Sequence, residues 1–197
     1  KIVLPRPASD GPRTELSVGQ LARDFFHTFI TFFQKKHLGL MFFFLLTYRL
    51  GESQLVKIAS PFLLDKHAAG GLELSTATVG MIYGTIGVIA LLLGGVLGGI
   101  VVSRHGFRRW ILPMALAINL PDALYIYLSA VHPDAWQVIV AVAIEQLGYG
   151  FGFTAYMLYL IYIAEGEHKT AHYAIGTGFM ALGMMLPGMA AGWIQDT

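Results

Sequence analysis

The chain has 197 residues, of which 55% are hydrophobic and 13% are charged, and its mean hydropathy is +0.61. This composition exceeds what a soluble core needs and predicts that lipid surrounds much of the chain. A net charge of +1 without a basic stripe argues against nucleic-acid binding, and the absence of cysteine excludes disulfides and thiolate metal sites. We therefore expect a membrane protein with no metal site and no cofactor.

The N-terminal part of the chain divides into a polar segment and an amphipathic one. Residues 1–16 contain three prolines and a glycine among polar neighbours, which predicts a linker without regular structure. Over residues 17–37, apolar side chains recur at helical spacing and charged ones lie between or after them. This pattern predicts an amphipathic helix that lies at the cytoplasmic surface of the membrane.

Five apolar runs follow, each long enough to cross a hydrocarbon layer of about 30 Å as a helix. The predicted spans cover residues 38–64, 76–103, 108–131, 135–164 and 170–194. Basic residues precede the first span and separate the second from the third, whereas the turn at 132–134 has neither lysine nor arginine. This distribution predicts that the N-terminal side of the first span is cytoplasmic.

Glycines recur four residues apart within the predicted spans. The pairs are Gly80 with Gly84, Gly94 with Gly98, Gly95 with Gly99, and Gly188 with Gly192. Small residues at this spacing let helix backbones approach closely, so these faces are predicted to pack on neighbouring helices. The segment 148–152, Gly-Tyr-Gly-Phe-Gly, lacks the preceding strand of a nucleotide-binding loop and indicates helix packing or local bending.

The first predicted span carries three ionisable side chains, Arg49, Glu52 and Lys57. Arg49 and Glu52 are three residues apart and share one helix face, whereas Lys57 lies about 140° round the helix from Glu52. A charge at mid-membrane depth costs roughly 2.5 to 3.5 kcal/mol and usually faces the bundle interior or a water-filled path. Two interpretations are open: the three residues line a cavity, or Arg49 and Glu52 form a structural ion pair while Lys57 reaches the interface.

Two further acids lie deep in later spans. Glu145, about ten residues inside the fourth span, is either a proton-coupling carboxylate or a protonated structural glutamate bound to another helix. Asp122 falls near mid-span with Asn119 and Pro121, where proline frees a backbone carbonyl for polar groups or water. A kink explains this trio, and substrate binding by Asp122 is the alternative.

Six tyrosines of the later spans form an aromatic set. They are Tyr125, Tyr127, Tyr149, Tyr156, Tyr159 and Tyr162. Such residues stack on sugar rings in some proteins, but near span ends they are more often interfacial anchors. The sequence alone assigns no individual tyrosine a binding role.

The loop between the second and third predicted spans contains two glycines and three arginines. These residues are Gly99, Arg104, Gly106, Arg108 and Arg109. The arginines indicate either anchoring on the cytoplasmic side or a gate that binds helix C-termini and neighbouring acids. The loop resembles the G-x-x-x-D-R-x-G-x-R-R signature of the major facilitator superfamily, with Ser103 where the signature has an acid. The resemblance implies a gating loop with a weakened acid-dependent latch.

A wider resemblance covers nearly all of residues 38–197. The residues that carry it are Tyr48-Arg49-Leu50-Gly51-Glu52, Ser60-Pro61-Phe62-Leu63-Leu64-Asp65, Tyr83-Gly84-Thr85-Ile86-Gly87, Glu145-Gln146, Gly150-Phe151-Gly152, His172-Tyr173-Ala174 and Ala191-Gly192-Trp193. Together they resemble the muropeptide permease group of that superfamily, whose wider membership includes acetyl-CoA transporters. The resemblance implies an all-α membrane half-bundle of about five spans from a twelve-helix transporter. The degenerate loop and the amphipathic lead-in favour the seventh to eleventh helices, and a first half that starts at residue 38 is the alternative. The remaining half of the same chain would then be its partner.

The resemblance also implies a function: proton-driven import of muropeptides across a bacterial inner membrane by alternating access, with no enzymatic step. The implied partners are a small solute, protons and the lipid bilayer. The predicted substrate-binding residues are Arg49, Glu52, Lys57 and Asp122. The predicted proton carriers are Glu145 and Glu52. Two alternatives stay open: transport of another solute, such as a sugar, an oligosaccharide or an acyl-CoA, and a permease-like sensor that binds ligand without moving it.

Overall fold

The computed structural model describes residues 17–195, and the linker predicted at 1–16 lies outside them. Within the described range the chain forms nine α-helices and no β-strand. The helices are α1 Val18–Phe33, α2 Leu38–Thr47, α3 Leu50–Leu64, α4 Thr76–Met81, α5 Val88–His105, α6 Phe107–Asn119, α7 Leu124–Val131, α8 Ala135–Ala164 and α9 Lys169–Gln195. This architecture confirms the all-α membrane class that the sequence predicts.

Four helical segments of the described range are long and apolar enough to cross a membrane. They are Thr76–His105, Phe107–Val131, Ala135–Ala164 and Lys169–Gly192. A fifth span arises when Val18–Phe33 and Leu38–Leu64 are counted together. Residues 38–64, which the sequence predicts as one span, form two helices of 10 and 15 residues. The chain is a multi-pass membrane protein with four to five candidate spans.

The first compact unit, Lys1–Leu38, contains α1. The helix begins with a capping box, in which the Ser17 hydroxyl accepts a hydrogen bond from the Gly19 N–H and Gln20 Oε1 accepts one from the Ser17 N–H. Large apolar side chains along it are exposed to the surroundings: Phe25, Phe26, Phe29, Ile30 and Phe33. These features agree with an amphipathic helix, and its place at the membrane surface stays a prediction.

The second compact unit, Gly39–Thr197, holds the helical bundle. Helix α8 contacts α5, α6 and α9, and α9 also packs along α3. An apolar cluster joins α3 and α7 to the first half of α8. Its buried members include Ala59, Leu63, Leu72, Val79, Ile82, Tyr125, Leu128, Val138, Ala141 and Val142. The long apolar helix α8 is central because it buries side chains against several neighbours at once.

Glycines in α8 bring its backbone into contact with two neighbours. A Cβ added at Gly150 would lie 2.0 Å from the carbonyl oxygen of Leu91 in α5. A Cβ added at Gly148 would lie 2.1 Å from the carbonyl oxygen of Ala117 in α6. A larger side chain at either position would force the helices apart. The interpretation of residues 148–152 as a helix-packing segment is therefore confirmed.

The glycines predicted to pack differ in whether an added Cβ meets a neighbouring helix. It would lie 3.9 Å from the Gly150 carbonyl oxygen at Gly95 and 3.2 Å from the Ser53 carbonyl oxygen at Gly188. Gly94 and Gly98 face α8, where an added Cβ would lie 2.1 Å from the Leu147 carbonyl oxygen and 2.8 Å from the Thr154 hydroxyl oxygen, respectively. Within the described residues, the prediction of close packing is wrong for those that meet nothing within 4 Å: Gly80, Gly84, Gly99 and Gly192. The spacing of four identifies a helix face, but it does not say whether that face meets a helix or lipid.

Three irregular segments interrupt the bundle helices. Tyr48 and Arg49 form a break between α2 and α3, and a π-helix at Ile82–Gly87 joins α4 to α5. A 3-10 turn at Leu120–Ala123 joins α6 to α7, where the sequence predicts a kink. Pro121 lies in this turn, and its missing N–H interrupts the regular helical hydrogen bonding. Such irregular backbone is stable at membrane depth only where other groups satisfy it.

Candidate functional site

Arg49 lies in the break between α2 and α3, directly before the first turn of α3. Its side chain is only 9% exposed. The Nη2 atom donates a hydrogen bond of 2.7 Å to the Tyr149 hydroxyl of α8. The Cζ atom lies 5.1 Å from the ring centroid of Tyr149 and 5.0 Å from that of Phe153, so cation–π attraction adds to the hydrogen bond. Its Nε has no hydrogen-bond partner among the described residues, so this donor is free.

Glu52 lies in the first turn of α3 and is 4% exposed. Its carboxylate is close enough to Arg49 for electrostatic attraction, but the hydrogen bond of Arg49 goes to Tyr149. In the described part of the chain, Glu52 Oε2 is buried without a hydrogen-bond partner. A buried carboxylate oxygen of this kind is an acceptor that a ligand or a proton can satisfy.

The turn between α6 and α7 brings Asn119 to the break that contains Arg49. Asn119 Oδ1 accepts a hydrogen bond of 3.1 Å from the Gly51 N–H of α3. Asn119 Nδ2 donates to the Tyr48 carbonyl oxygen at 2.9 Å and to the Ala115 carbonyl oxygen at 2.8 Å. One side-chain amide thus joins the break between α2 and α3 to the distant turn between α6 and α7.

Asp122 lies beside the same break. A Cβ added at Gly51 would lie 2.7 Å from Asp122 Oδ2, so the carboxylate is next to the first turn of α3. Both carboxylate oxygens of Asp122 are buried, and neither has a hydrogen-bond partner among the described residues. A groove of about 310 Å³ between α3 and α7 borders Asp122, with Gln54 and Ser129 among its lining residues. Asp122 therefore combines unused acceptors with adjacent open space.

Glu145 lies on α8, one turn before Tyr149, and is 3% exposed. Its two carboxylate oxygens accept hydrogen bonds of 3.0 and 3.2 Å from Nε2 of the adjacent Gln146. Glu52 and Asp122 both lie within electrostatic range of Glu145. Since Glu145 and Tyr149 are four residues apart, they share one face of α8. This face carries both an acid and the hydrogen-bond partner of Arg49.

A pair of tyrosines lies near the acids. The hydroxyl groups of Tyr83, in the π-helix, and Tyr125, in α7, are hydrogen-bonded to each other. Both tyrosines are within electrostatic range of Glu52 and Glu145. π-Helical turns often occur at functional sites because the extra residue changes where a side chain points.

Lys57, the other predicted substrate-binding residue, has different surroundings. It is exposed, and its stem lies against α9, where a Cβ added at Gly188 would be 3.2 Å from Lys57 Cε. The structure thus brings together four predicted ionisable site residues and directs the fifth towards α9. The four are Arg49, Glu52, Asp122 and Glu145.

The predicted gating loop is a sharp turn at one glycine. Helix α5 ends at His105 and α6 begins at Phe107, so Gly106 alone joins them, with φ of 83° and ψ of 146°. A side chain would disfavour this positive φ. Ser103, at the position of the signature acid, donates its hydroxyl hydrogen to the Ile100 carbonyl oxygen at 2.8 Å. All five residues of the predicted gating set are exposed: Gly99, Arg104, Gly106, Arg108 and Arg109.

Three residues at the site received no individual role from the sequence: Asn119, Tyr149 and Phe153. Tyr149 lies four residues after Glu145, and Phe153 lies four residues after Tyr149. Helical spacing therefore places Glu145, Tyr149 and Phe153 on one face of the helix. Asn119 is a side-chain amide inside an apolar span, where it requires hydrogen-bond partners. These signals exist in the sequence, but they do not identify the partner helix.

The apolar helices and the buried ionisable residues define an all-α multi-pass membrane protein. No protein-family model matches the chain. The chain is 25% identical to the anhydromuropeptide permease of Escherichia coli over 165 residues. These residues make up 84% of this chain and 33% of the permease. This similarity confirms the predicted resemblance to muropeptide permeases.

Two other relatives come from Rickettsia. A protein of Rickettsia typhi named putative transporter AmpG 3 is 24% identical over 153 residues, which is 78% of this chain and 35% of that protein. A protein of Rickettsia conorii named putative transporter AmpG 4 is 26% identical over 147 residues, 75% of this chain and 34% of that protein. The chain spans about a third of the length of the curated relatives it matches. All three relatives are named as permeases or transporters rather than enzymes.

Proposed function

We propose that the chain forms part of a secondary transporter that imports muropeptides or related saccharide-peptide solutes, coupled to protons. The observation that carries the proposal is Arg49, a buried cation in a helix break whose Nε has no partner among the described residues. Intramembrane charges of this kind usually line a path for a solute or an ion. The similarity to proteins named as permeases supports transport as the activity.

The solute is bound through its carboxylates in this proposal. The planar guanidinium of Arg49 offers donors in a geometry that suits a carboxylate, and the peptide part of a muropeptide carries such groups. Lys57 supplies a second cation near α9. Asp122, with two unpartnered oxygens in the described structure and a groove beside it, accepts hydrogen bonds from solute hydroxyl or ammonium groups.

Protons are carried by Glu145 and Glu52 in this proposal. Both carboxylates are buried, and the two lie within electrostatic range of each other. A solute carboxylate at Arg49 competes with Glu52 for the positive charge. Binding of the solute is thereby linked to protonation of Glu52, which is the requirement for coupled transport.

Alternating access places the cavity between two halves of a transporter. We propose that the remaining half of the same transporter chain completes the cavity, and that the turn around Gly106 is the gating loop. The exposed arginines of this turn face the cytoplasm together with the N-terminal side of the segment. The membrane is the bacterial inner membrane.

Uptake by proteoliposomes tests the proposal. The full-length protein is reconstituted, a pH gradient is imposed and accumulation of radiolabelled anhydro-muropeptide is measured. We expect gradient-dependent uptake by the wild type, loss of uptake in Arg49→Ala, and wild-type uptake in Lys66→Ala, which removes an exposed cation from a connecting loop.

Other outcomes separate the alternatives. Counterflow of a sugar or an acyl-CoA, without muropeptide uptake, would retain transport and reject the proposed solute. Binding of the muropeptide with neither uptake nor counterflow would contradict transport and favour a sensor.

A further inference from the structure

The break in the first segment of the bundle exposes backbone groups on both of its sides. Helix α2 ends at Thr47, so the Tyr48 carbonyl lies just beyond its C-terminus. Helix α3 begins at Leu50, so the Gly51 N–H belongs to its first turn, where helical N–H groups have no partner within the helix. Inside a membrane these groups must be satisfied by another part of the protein.

Asn119 satisfies a group on each side of the break. Its Nδ2 donates to the Tyr48 carbonyl oxygen at 2.9 Å, and its Oδ1 accepts from the Gly51 N–H at 3.1 Å. The second Nδ2 hydrogen goes to the Ala115 carbonyl oxygen at 2.8 Å, one turn earlier in α6. Because carbonyls only accept and N–H groups only donate, these three bonds determine which way the amide points.

Arg49 is one of the two residues between the groups that Asn119 binds. Its own backbone is not helical, with φ of −113° and ψ of 29°. The side chain leaves this position to meet Tyr149 and Phe153 on α8. A shift of the chain on either side of Arg49 would therefore change the direction of its guanidinium.

We propose that Asn119 is a positioning residue, which clamps both sides of the break and thereby holds Arg49 against α8. The clamp follows from the backbone contacts alone, while its value for solute binding rests on the proposed function. It also ties the break in the first segment to the 3-10 turn between α6 and α7. The two irregular segments then move as one unit.

Glycine at position 51 fits the same clamp. A Cβ added there would lie 2.9 Å from Asn119 Oδ1 and 2.7 Å from Asp122 Oδ2. The absence of a side chain lets the amide approach the Gly51 N–H directly. Asn119, at the turn between α6 and α7, and Gly51, at the break between α2 and α3, thus form a matched pair.

Hydrogen–deuterium exchange tests the clamp without any solute. In the full-length protein in lipid nanodiscs, Asn119→Ala removes all three side-chain hydrogen bonds, while Asn119→Asp keeps the acceptor for Gly51 and loses both donations. In Asn119→Ala we expect exchange across residues 48–53 to accelerate about fivefold, which corresponds to the loss of one net hydrogen bond. In Asn119→Asp the acceleration at the Gly51 amide should be smaller, because the acceptor for its N–H is kept. Segments of α5 should exchange at the wild-type rate in both variants.

The control is Thr177→Ala, which removes a hydroxyl bond to a backbone carbonyl within α9 and no hydrogen bond of the break. Wild-type exchange at residues 48–53 in Asn119→Ala would overturn the clamp. If Asn119→Ala unfolds globally, Asn119→Asp decides: unchanged exchange at residues 48–53 overturns the clamp, and acceleration confined to them supports it.

A double-mutant cycle tests whether Asn119 acts through Arg49. We expect Asn119→Ala to raise the half-saturating muropeptide concentration about fivefold beside the native Arg49, and much less in an Arg49→Lys background, because coupled residues are not additive. Equal effects in both backgrounds would overturn the positioning role. If the wild type takes up no muropeptide, the proposed function fails, and the exchange experiment still decides the clamp.

Discussion

Arg49 donates a hydrogen bond of 2.7 Å to the hydroxyl of Tyr149, a residue 100 positions further along the chain. The bond crosses from the break between α2 and α3 to the central helix α8. A cation inside the membrane is thereby held by a neutral hydroxyl and two aromatic faces. Because this hydrogen-bond partner is neutral, a ligand anion competes with Glu52, and not with Tyr149, for the charge of Arg49.

Removal of the Tyr149 hydroxyl tests this relationship. Tyr149→Phe keeps the ring and the cation–π contact but deletes the acceptor of the Arg49 hydrogen bond. Hydrogen bonds to charged groups contribute about 1.5 to 3 kcal/mol, so we expect a rise of roughly tenfold or more in the half-saturating muropeptide concentration. Tyr162→Phe, the same change at an exposed position of α8, should leave this concentration unchanged. Equal values for the two variants would argue against the role of Tyr149.

Exchange of Arg49 for lysine separates charge from geometry. Lysine keeps the positive charge but lacks the planar fork that binds a carboxylate through two parallel bonds. We expect Arg49→Lys to retain measurable uptake with affinity reduced roughly tenfold, which corresponds to about 1.4 kcal/mol. Arg23→Lys, a matched change at an exposed site of α1, serves as the control. Full affinity in Arg49→Lys would mean that charge alone suffices.

Glu145→Gln tests the proposed proton carrier. The amide resembles the protonated carboxyl in shape, but it cannot release a proton. We expect accumulation driven by a pH gradient, acidic on the side from which the solute enters, to be lost, while solute counterflow at equal pH persists. Glu167→Gln, at an exposed position after α8, should behave as the wild type. Gradient-driven uptake that survives in Glu145→Gln would reject this assignment.

Helix packing at the glycines of α8 predicts a stability difference. Gly150→Ala would place a Cβ 2.0 Å from the Leu91 backbone oxygen, and overpacking of this kind costs about 1 to 3 kcal/mol. Gly99→Ala meets nothing within 4 Å and should be neutral or stabilise α5 by up to about 1 kcal/mol through helix propensity. Unfolding in detergent micelles measures both. Equal stability of the two variants would contradict the observed contact between α5 and α8.

Much of the fold follows from local properties of the sequence. Long apolar runs predict membrane helices, and glycines four residues apart predict close contacts that hold at Gly94 and Gly98. The sequence does not predict the break at Tyr48 and Arg49, because the residues around it are compatible with a continuous helix. It is stable because an amide from another helix satisfies the backbone on both of its sides.

The membrane class and the identity of the buried ionisable residues follow from the amino-acid sequence, since hydropathy and charge belong to each residue wherever it lies. Which of these residues contact one another depends on the packing of the helices. Only the rotation of α8 about its axis brings Tyr149 to Arg49, and only the crossing of α6 with α3 brings Asn119 to Gly51. A period of 3.6 residues assigns side chains to the face of one helix, but contacts between helices depend on how their backbones approach, which is a property of the whole bundle.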